Sequence, residues 1–257
     1  WRRALYLRGS WRQLARRHGL RVVEDAAHTL GAKYGVKLIG RWADATAFSF
    51  YSTKNLTTGE GGMVVTDHAT WYKKMRVLSR HGISRATWDR YGSRSWSYDV
   101  TAQGYKYNMS DLLAALGRAQ LKRFAELQQK REAVARWYRE SLAGVKGVIC
   151  PVAPPPARSA HHLMRIRLTE PRLVRKRDWI IAELTRRKIG VSVHFIPLHR
   201  HSFYRNKYKL DRDRFPVAEN WYRNVISLPL FHSLTRTEQD FIVRTVSRIV
   251  IRHRRRR

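Results

Sequence analysis

Acidic side chains are scarce in this chain. Nineteen aspartates and glutamates stand against 52 lysines and arginines, a formal net charge of +33 over 257 residues. Such a field attracts nucleic acid, anionic membrane and anionic small molecules. Basic residues decorating solvated faces produce the same total without any polyanionic partner, and the spread of the arginines fits that plainer reading. Cysteine is nearly absent. Cys150 stands alone, which excludes an intramolecular disulfide and fits a reducing compartment, so a cytoplasmic location is expected. No segment approaches the roughly 20 continuous apolar residues of a membrane helix. The first residue is Trp1 rather than methionine, and no signal-peptide pattern follows, so the sequence is expected to be a piece of a longer chain. What remains is 43% hydrophobic, enough for a buried core and two lobes.

The chemistry concentrates in residues 22–67. Residues 20–24 are short, apolar and β-branched, as a buried strand requires. Glu24 and Asp25 close that run, at the strand end where open α/β sheets bind ligands. Residues 45–51 form a second such run, followed by Ser52, Thr53 and Lys54. Residues 63–66 form a third, after Gly59, Gly61 and Gly62, which permit positive φ and close backbone approach. A lysine partly desolvated among aromatics has a lowered pKa and can condense with a carbonyl. A carboxylate at a neighbouring strand end could hold a pyridinium proton. Pyridoxal phosphate needs both groups. A lone lysine after a strand is ordinarily a solvated loop residue, however, and a lone aspartate there is often a cap.

Around this stretch the pattern is α/β. Residues 4–7 read as a strand and residues 11–18 as a helix with Ser10 as N-cap and Gly19 as its stop. Residues 70–80 read as a helix, and residues 83–98 as an aromatic, basic surface loop. Such interleaving can bind single-stranded nucleic acid by stacking, although no recognised module accompanies it. Ser110 and Asp111 can cap a long helix whose stripe Leu112, Leu113, Leu116, Ala119, Gln120, Leu121 and Phe124 continues through Leu127, Val134, Trp137, Tyr138 and Leu142. That stripe is expected to be core. After an extended PVAPPP connector, residues 163–168 read as a strand, 175–187 as a helix and 191–196 as a strand. Thr235 caps a last helix from 236 to about 251, and the RHRRRR end reads as a disordered basic tail. His194 and His199 lie across a strand and a proline turn without completing a zinc set, so no metal is expected.

EDAAH, FSFYSTKN and GEGGMVVTD together resemble the signature of the DegT/DnrJ/EryC1/StrS family of sugar aminotransferases, which are fold-type I pyridoxal-phosphate enzymes. The similarity continues through GYKYNMSDLLAALGRAQL, SAHHL, IGVSVHFIPLH and FPVAENWYRNVISLPL, from residue 21 to about 251. The resemblance implies an α/β fold with a partial large domain over 1–118, its sheet mainly parallel, and a smaller α+β domain over 119–257. It implies that Lys54 forms the internal aldimine, that Asp25 pairs with the pyridine nitrogen, that His28 lies beside the cofactor's phenolic oxygen and that Ser49 contacts its phosphate. In GYKYNMSD, Lys106 replaces the family's usual asparagine, which reaches a partner subunit's cofactor phosphate, and Asn108 stands where arginine is common. His194 is placed near the cofactor and sugar. Family dehydratases carry histidine in place of the lysine, so Lys54 favours transamination. Family members also carry a longer segment before EDAA, with a phosphate loop and a ring-stacking aromatic.

The expected function is therefore amino transfer from glutamate to a keto group of a nucleotide-linked sugar, in a homodimer, within polysaccharide biosynthesis. Two other readings remain at this stage: an inactive fragment, and a basic protein that binds nucleic acid or an anionic surface.

Overall fold

The protein is described by a computed structural model over residues 8–84 and 97–255. It divides into two units, Trp1–Ala125 with Pro154–Ala160, and Glu126–Ala153 with His161–Arg257. The strand expected at 4–7 and most of the loop expected at 83–98 lie outside the described residues.

The first unit opens with helix α1 (Arg8–Arg17), which ends at Gly19 in the left-handed region, φ 62°. The helix begins before Ser10, so that residue lies inside its first turn rather than capping it. The central sheet has the order β1-β4-β5, with β1 Val23–Asp25, β4 Ala45–Ser49 and β5 Gly62–Val65. Strands β1 and β4 are parallel and β4 and β5 antiparallel. The sheet is thus mixed where a mainly parallel one was expected. The reason is the connection. The chain between β4 and β5 carries no crossover helix and turns straight back, which only antiparallel pairing permits. Between β1 and β4 lie two short strands, β2 (Lys33–Tyr34) and β3 (Lys37–Leu38), and β2 also pairs with the later β7 (Ala157–Arg158). Strand β1 is an edge strand with Val23 67% exposed, so the expected buried strand is instead half-covered.

Asp44 ties the sheet together at the entry to β4. Its carboxylate accepts the Val22 amide at 2.8 Å and lies 2.9 Å from His68 Nε2, while its carbonyl accepts the Thr66 hydroxyl at 2.6 Å. Helix α2 (Ala69–Leu78) follows. Residues 104–107 then run back along 78–82: Tyr105 N donates to Leu78 O at 2.7 Å and His81 N to Tyr105 O at 2.9 Å. This close crossing requires Gly82, whose Cβ would sit 1.7 Å from Ala102 O.

Helix α3 (Asp111–Leu142) runs from the first unit into the second. Ser110 Oγ accepts the Leu113 amide at 3.4 Å, an N-cap geometry. Only the later half of its apolar stripe is core: Leu127, Val134, Trp137, Tyr138 and Leu142 are buried. Leu112 is 84% exposed, and Leu116 and Leu121 are exposed too. The expectation of a continuous core stripe fails because this half of the helix packs through Gly117 and Gln120 on the loop at Thr57 and Thr58 instead, leaving Leu112, Leu116 and Leu121 at the surface.

The second unit is α+β. Its antiparallel sheet has the order β6-β8-β9, with β6 Val148–Ile149, β8 Met164–Leu168 and β9 Val225–Leu228. Strand β8 alternates buried and half-buried residues, and β9 is buried throughout. Helix α5 (Arg177–Arg186) lies where a helix was expected at 175–187, and a short helix α4 (Pro171–Arg175) precedes it across Lys176. Short helix α6 (Ser202–Tyr208) and helix α7 (Pro216–Asn224) lead into β9, and α8 (Arg236–Arg255) closes the unit. Tyr138, Leu168, Leu173, Leu184, Val246 and Val250 fill the core between them. Each large apolar side chain so buried contributes roughly 1.5–3 kcal/mol. Thr235 and Glu238 form a capping box: the Thr235 hydroxyl accepts the Glu238 amide at 3.3 Å, and Glu238 Oε2 accepts the Thr235 amide at 2.8 Å. The helix continues to Arg255, so most of the expected disordered tail is helical.

Candidate active site

Parallel pairing places the ends of β1 and β4 side by side. Asp25 aligns with Ala47, two residues before Ser49, and Ser49 pairs with Gly62 across the sheet. Asp25 and Ser49 are therefore carried to the same edge by the backbone alone. The Asp25 carboxylate accepts the Ala27 amide at 3.0 Å, which fixes its orientation. The chain then turns: Ala26 N donates to Ala47 O at 2.8 Å and Thr29 N to Ala26 O at 3.0 Å. His28 rides on this turn, half-buried.

Lys54 sits on the loop between β4 and β5, and that loop is tightly held. Phe50 N donates to Gly61 O at 2.8 Å, Thr58 N to Phe50 O at 2.9 Å and Lys54 N to Tyr51 O at 2.9 Å. Gln120 of α3 accepts the Thr57 amide at 3.1 Å, and Asn55 Nδ2 donates to Ala160 O at 2.6 Å. Leu56 and Thr58 are buried beneath it. Gly61 permits the packing, since a Cβ there would lie 2.6 Å from both Met109 Cε and Thr58 Oγ1. Ser49 Oγ accepts the Tyr51 amide at 3.3 Å.

Electrostatics then act on the lysine. Partial burial pulls the Lys54 ammonium below the ordinary lysine value, and the Asp25 carboxylate opposes that shift by attraction. A carboxylate and an amine of lowered basicity thus share one strand edge. This arrangement can bind a carbonyl covalently through nitrogen and neutralise a cation beside it.

Lys106 and Asn108 are exposed on the segment that crosses 78–82, where Lys106 bridges to Arg80 through the backbone. His194 belongs to the second unit. Its Nδ1 lies 2.8 Å from Ser227 Oγ, and its ring meets Phe195 edge-on at 4.7 Å. The strand expected at 191–196 is reduced to one bridge, Ser192 to Ser227, beside which the His194 side chain meets the Ser227 hydroxyl. His199 is buried, with Nε2 2.8 Å from Glu219 Oε1. No group of three or more His, Cys, Asp or Glu residues placed to hold a metal ion occurs among the described residues. Nor is any helix among them long and apolar enough to cross a membrane.

Three residues that secure the lysine loop escape a reading by motif: Asn55, Thr57 and Gln120. For Gln120 a signal existed, since it is a polar residue on the apolar stripe of a helix. Glu219 also escapes, because its partners His199 and Arg200 come from a separate loop.

The fold is that of the fold-type I pyridoxal-phosphate-dependent sugar aminotransferases. The sequence pattern of the DegT/DnrJ/EryC1/StrS aminotransferase family matches residues 9–247. The chain belongs to that family. Spore coat polysaccharide biosynthesis protein SpsC of Bacillus subtilis is 44% identical over 239 residues, 92% of this chain and 61% of SpsC. Among solved structures, the putative sugar aminotransferase Spr1654 of Streptococcus pneumoniae, in its PMP form, superposes with TM-score 0.83 at 32% identity, covering 91% of this chain and 59% of that one. Helicobacter pylori PseC, an aminotransferase of pseudoaminic acid biosynthesis, gives TM-score 0.86 at 28% identity, covering 95% and 63%. The chain spans about three-fifths of the length of the curated relatives it matches.

Proposed function

We propose that this chain is the greater part of a pyridoxal 5'-phosphate-dependent aminotransferase that moves an amino group from glutamate to the keto group of a nucleotide-linked sugar. Lys54 carries this reading: its amine is lowered in basicity by partial burial and faces the Asp25 carboxylate at the end of the neighbouring strand. That donor set fits the cofactor, which requires a primary amine for its aldehyde and an anion for its ring nitrogen. When bound, the cofactor would supply an aldehyde that condenses with amines and a ring that accepts electrons.

In this reading Lys54 would hold the cofactor through its Nζ, and its amine, lowered in basicity by partial burial, would accept and return a proton beside it. Asp25 would hold the ring nitrogen, His28 would lie beside the phenolic oxygen, and the Ser49 hydroxyl would bind the phosphate. Lys106 supplies a phosphate contact by charge and Asn108 a neighbouring polar one, both from an exposed segment suited to a partner subunit's site. His194 contacts the sugar substrate. The homodimer draws support from exposed apolar surface in the first unit: Leu112, Leu116 and Leu121 on the first half of α3, and the stacked rings of Tyr105 and Tyr107, 4.9 Å apart. The single cysteine fits the cytoplasm.

The test is chemical. The purified chain is mixed with pyridoxal phosphate, reduced with borohydride and mapped by peptide mass. A reduced adduct concentrated on Lys54, with its visible absorbance absent in Lys54→Ala, is expected. Equal labelling of many surface lysines in a folded sample would remove the reading.

A further inference from the structure

The second unit carries a cationic surface that amino transfer does not use. After Asp240 the sequence contains no acidic residue, while seven arginines and His253 follow. Three of those arginines, Arg244, Arg248 and Arg252, are four residues apart on α8 and exposed. They form a row along one face with a pitch of about 6 Å. Asp240, the last carboxylate before the row, lies 3.5 Å from Arg236 on its other side. Like charges at this spacing repel one another and weaken a helix, so the row is a cost to the fold in the absence of a counter-charge. Attraction to the helix dipole offsets it only in the last turn, and Arg244 Nε donates to the Asp240 carbonyl at 3.3 Å, which leaves Arg248 unexplained.

The neighbouring helices extend the surface. Lys176, between α4 and α5, places Nζ 3.4 Å from His253 Nδ1, a cation beside a second basic group. Trp179 of α5 packs edge-on against His253, 4.3 Å between ring centres, and is 41% exposed. A lysine and a partly exposed indole thus lie against His253, the residue that follows the last arginine of the row.

We propose that the face of α8 formed by Arg244, Arg248 and Arg252, continued by Lys176 and Trp179, binds the phosphate backbone of single-stranded nucleic acid without reading sequence. Charge complementarity sets the ligand class: arginine forks pair with phosphate oxygens, and an indole next to them offers a stacking face for a base. An anionic bilayer fits less well. A membrane-surface helix needs its apolar face available, and in α8 that face, Ile242, Val246, Ile249 and Val250, is buried in the core. Phe241 and Ile251 are exposed, but ten residues, about 15 Å, separate them, so they form no continuous apolar strip.

The experiment is fluorescence anisotropy with a labelled oligothymidylate across a salt series. Three proteins are compared: the unaltered chain, the triple variant Arg244→Gln, Arg248→Gln, Arg252→Gln, and a control that loses the same charge elsewhere through Lys73→Gln, Lys74→Gln and Arg118→Gln. Circular dichroism checks that each is folded, and an Arg→Lys triple at the same three positions preserves charge should the Gln variant unfold. The expected result is salt-sensitive binding whose slope of log affinity against log salt becomes shallower by about 2 in the α8 variant, near 0.7 per arginine. The control and the Arg→Lys triple are expected to remain close to the unaltered chain. An equal loss in the α8 variant and the control would overturn the proposal, because the diffuse net charge would then suffice. So would unchanged oligonucleotide binding in the α8 variant, including the case where it loses adsorption to phosphatidylserine vesicles.

Discussion

The carboxylate of Glu219 accepts hydrogen bonds from Arg200 Nε at 2.7 Å and from Arg200 Nη2, and lies 2.8 Å from His199 Nε2. One buried anion on α7 therefore fixes the end of the loop that begins at His194. His199 is further held by stacking on Phe215, 4.5 Å between rings. Arg200 chiefly, with His199, holds the Glu219 carboxyl at about 2, well below its ordinary 4.5. A depressed carboxylate pKa stabilises the fold above its unfolded value and loses that contribution as pH falls through the folded one. Stability should fall between about pH 4.5 and about pH 2, and Glu219→Gln should flatten that decline. At neutral pH the same variant should cost about 2 kcal/mol, because it leaves the part-buried Arg200 guanidinium without its anion. Urea unfolding at several pH values measures both.

Asp44 makes a comparable tie in the first unit. The Val22 amide chiefly, then His68 and Arg21, lower its carboxyl below the ordinary 3.8. The sign is the same: its contribution is present above 3.8 and lost as pH falls below that value. Asp44→Asn should destabilise the first unit by roughly 1–2 kcal/mol through the weakened charged hydrogen bonds. Faster hydrogen exchange at the Val22 amide, with the core amides of β8 unchanged, is the specific signature.

For the Lys54–Asp25 pair, charge removal separates two effects. Asp25 raises the Lys54 pKa against the lowering by burial. Asp25→Asn should therefore move the pH midpoint of Lys54 acylation downward, making the amine more reactive near neutrality. In the proposed enzyme the same change should weaken pyridoxal phosphate binding at least tenfold, because the ring nitrogen loses its anion. An unchanged acylation midpoint would show that the two side chains do not sense each other.

Two glycines in the left-handed region distinguish conformational strain from crowding. Gly19 has φ 62° and open space where a Cβ would go, whereas Gly82 has φ 76° and a Cβ position 1.7 Å from Ala102 O. Gly19→Ala should cost about 1 kcal/mol, the left-handed penalty alone. Gly82→Ala should cost clearly more, since backbone must move, and should detach the segment bearing Lys106 and Asn108. Thermal melting of the two variants gives the comparison.

Periodicity located the strands at 23–25, 45–49 and 62–65 to within two or three residues, and it located the long helix, because these patterns are local. The strand expected at 191–196 did not form beyond a single bridge. There the backbone pairs only through Ser192 and Ser227, and the next contact to Ser227 comes from the His194 side chain. The helix expected at 175–187 is present as α5, Arg177–Arg186, because its pattern too is local. The buried strand expected at 20–24 is an edge, since burial depends on what lies across the sheet.

Sequence alone determined which residue types stand in which order: the lysine after the second strand, the carboxylate ending the first, the glycines before the third, and the arginines spaced four apart in the last helix. Chemistry of that kind is written in single residues and short spacings. Tertiary structure decided which of them meet. Parallel pairing of β1 with β4 set Asp25 against the Lys54 loop, Gln120 and Ala160 locked that loop from distant parts of the chain, and Glu219 gathered His199 and Arg200. Such contacts join residues many positions apart. Their energies depend on burial and geometry, which exist only once the chain has folded.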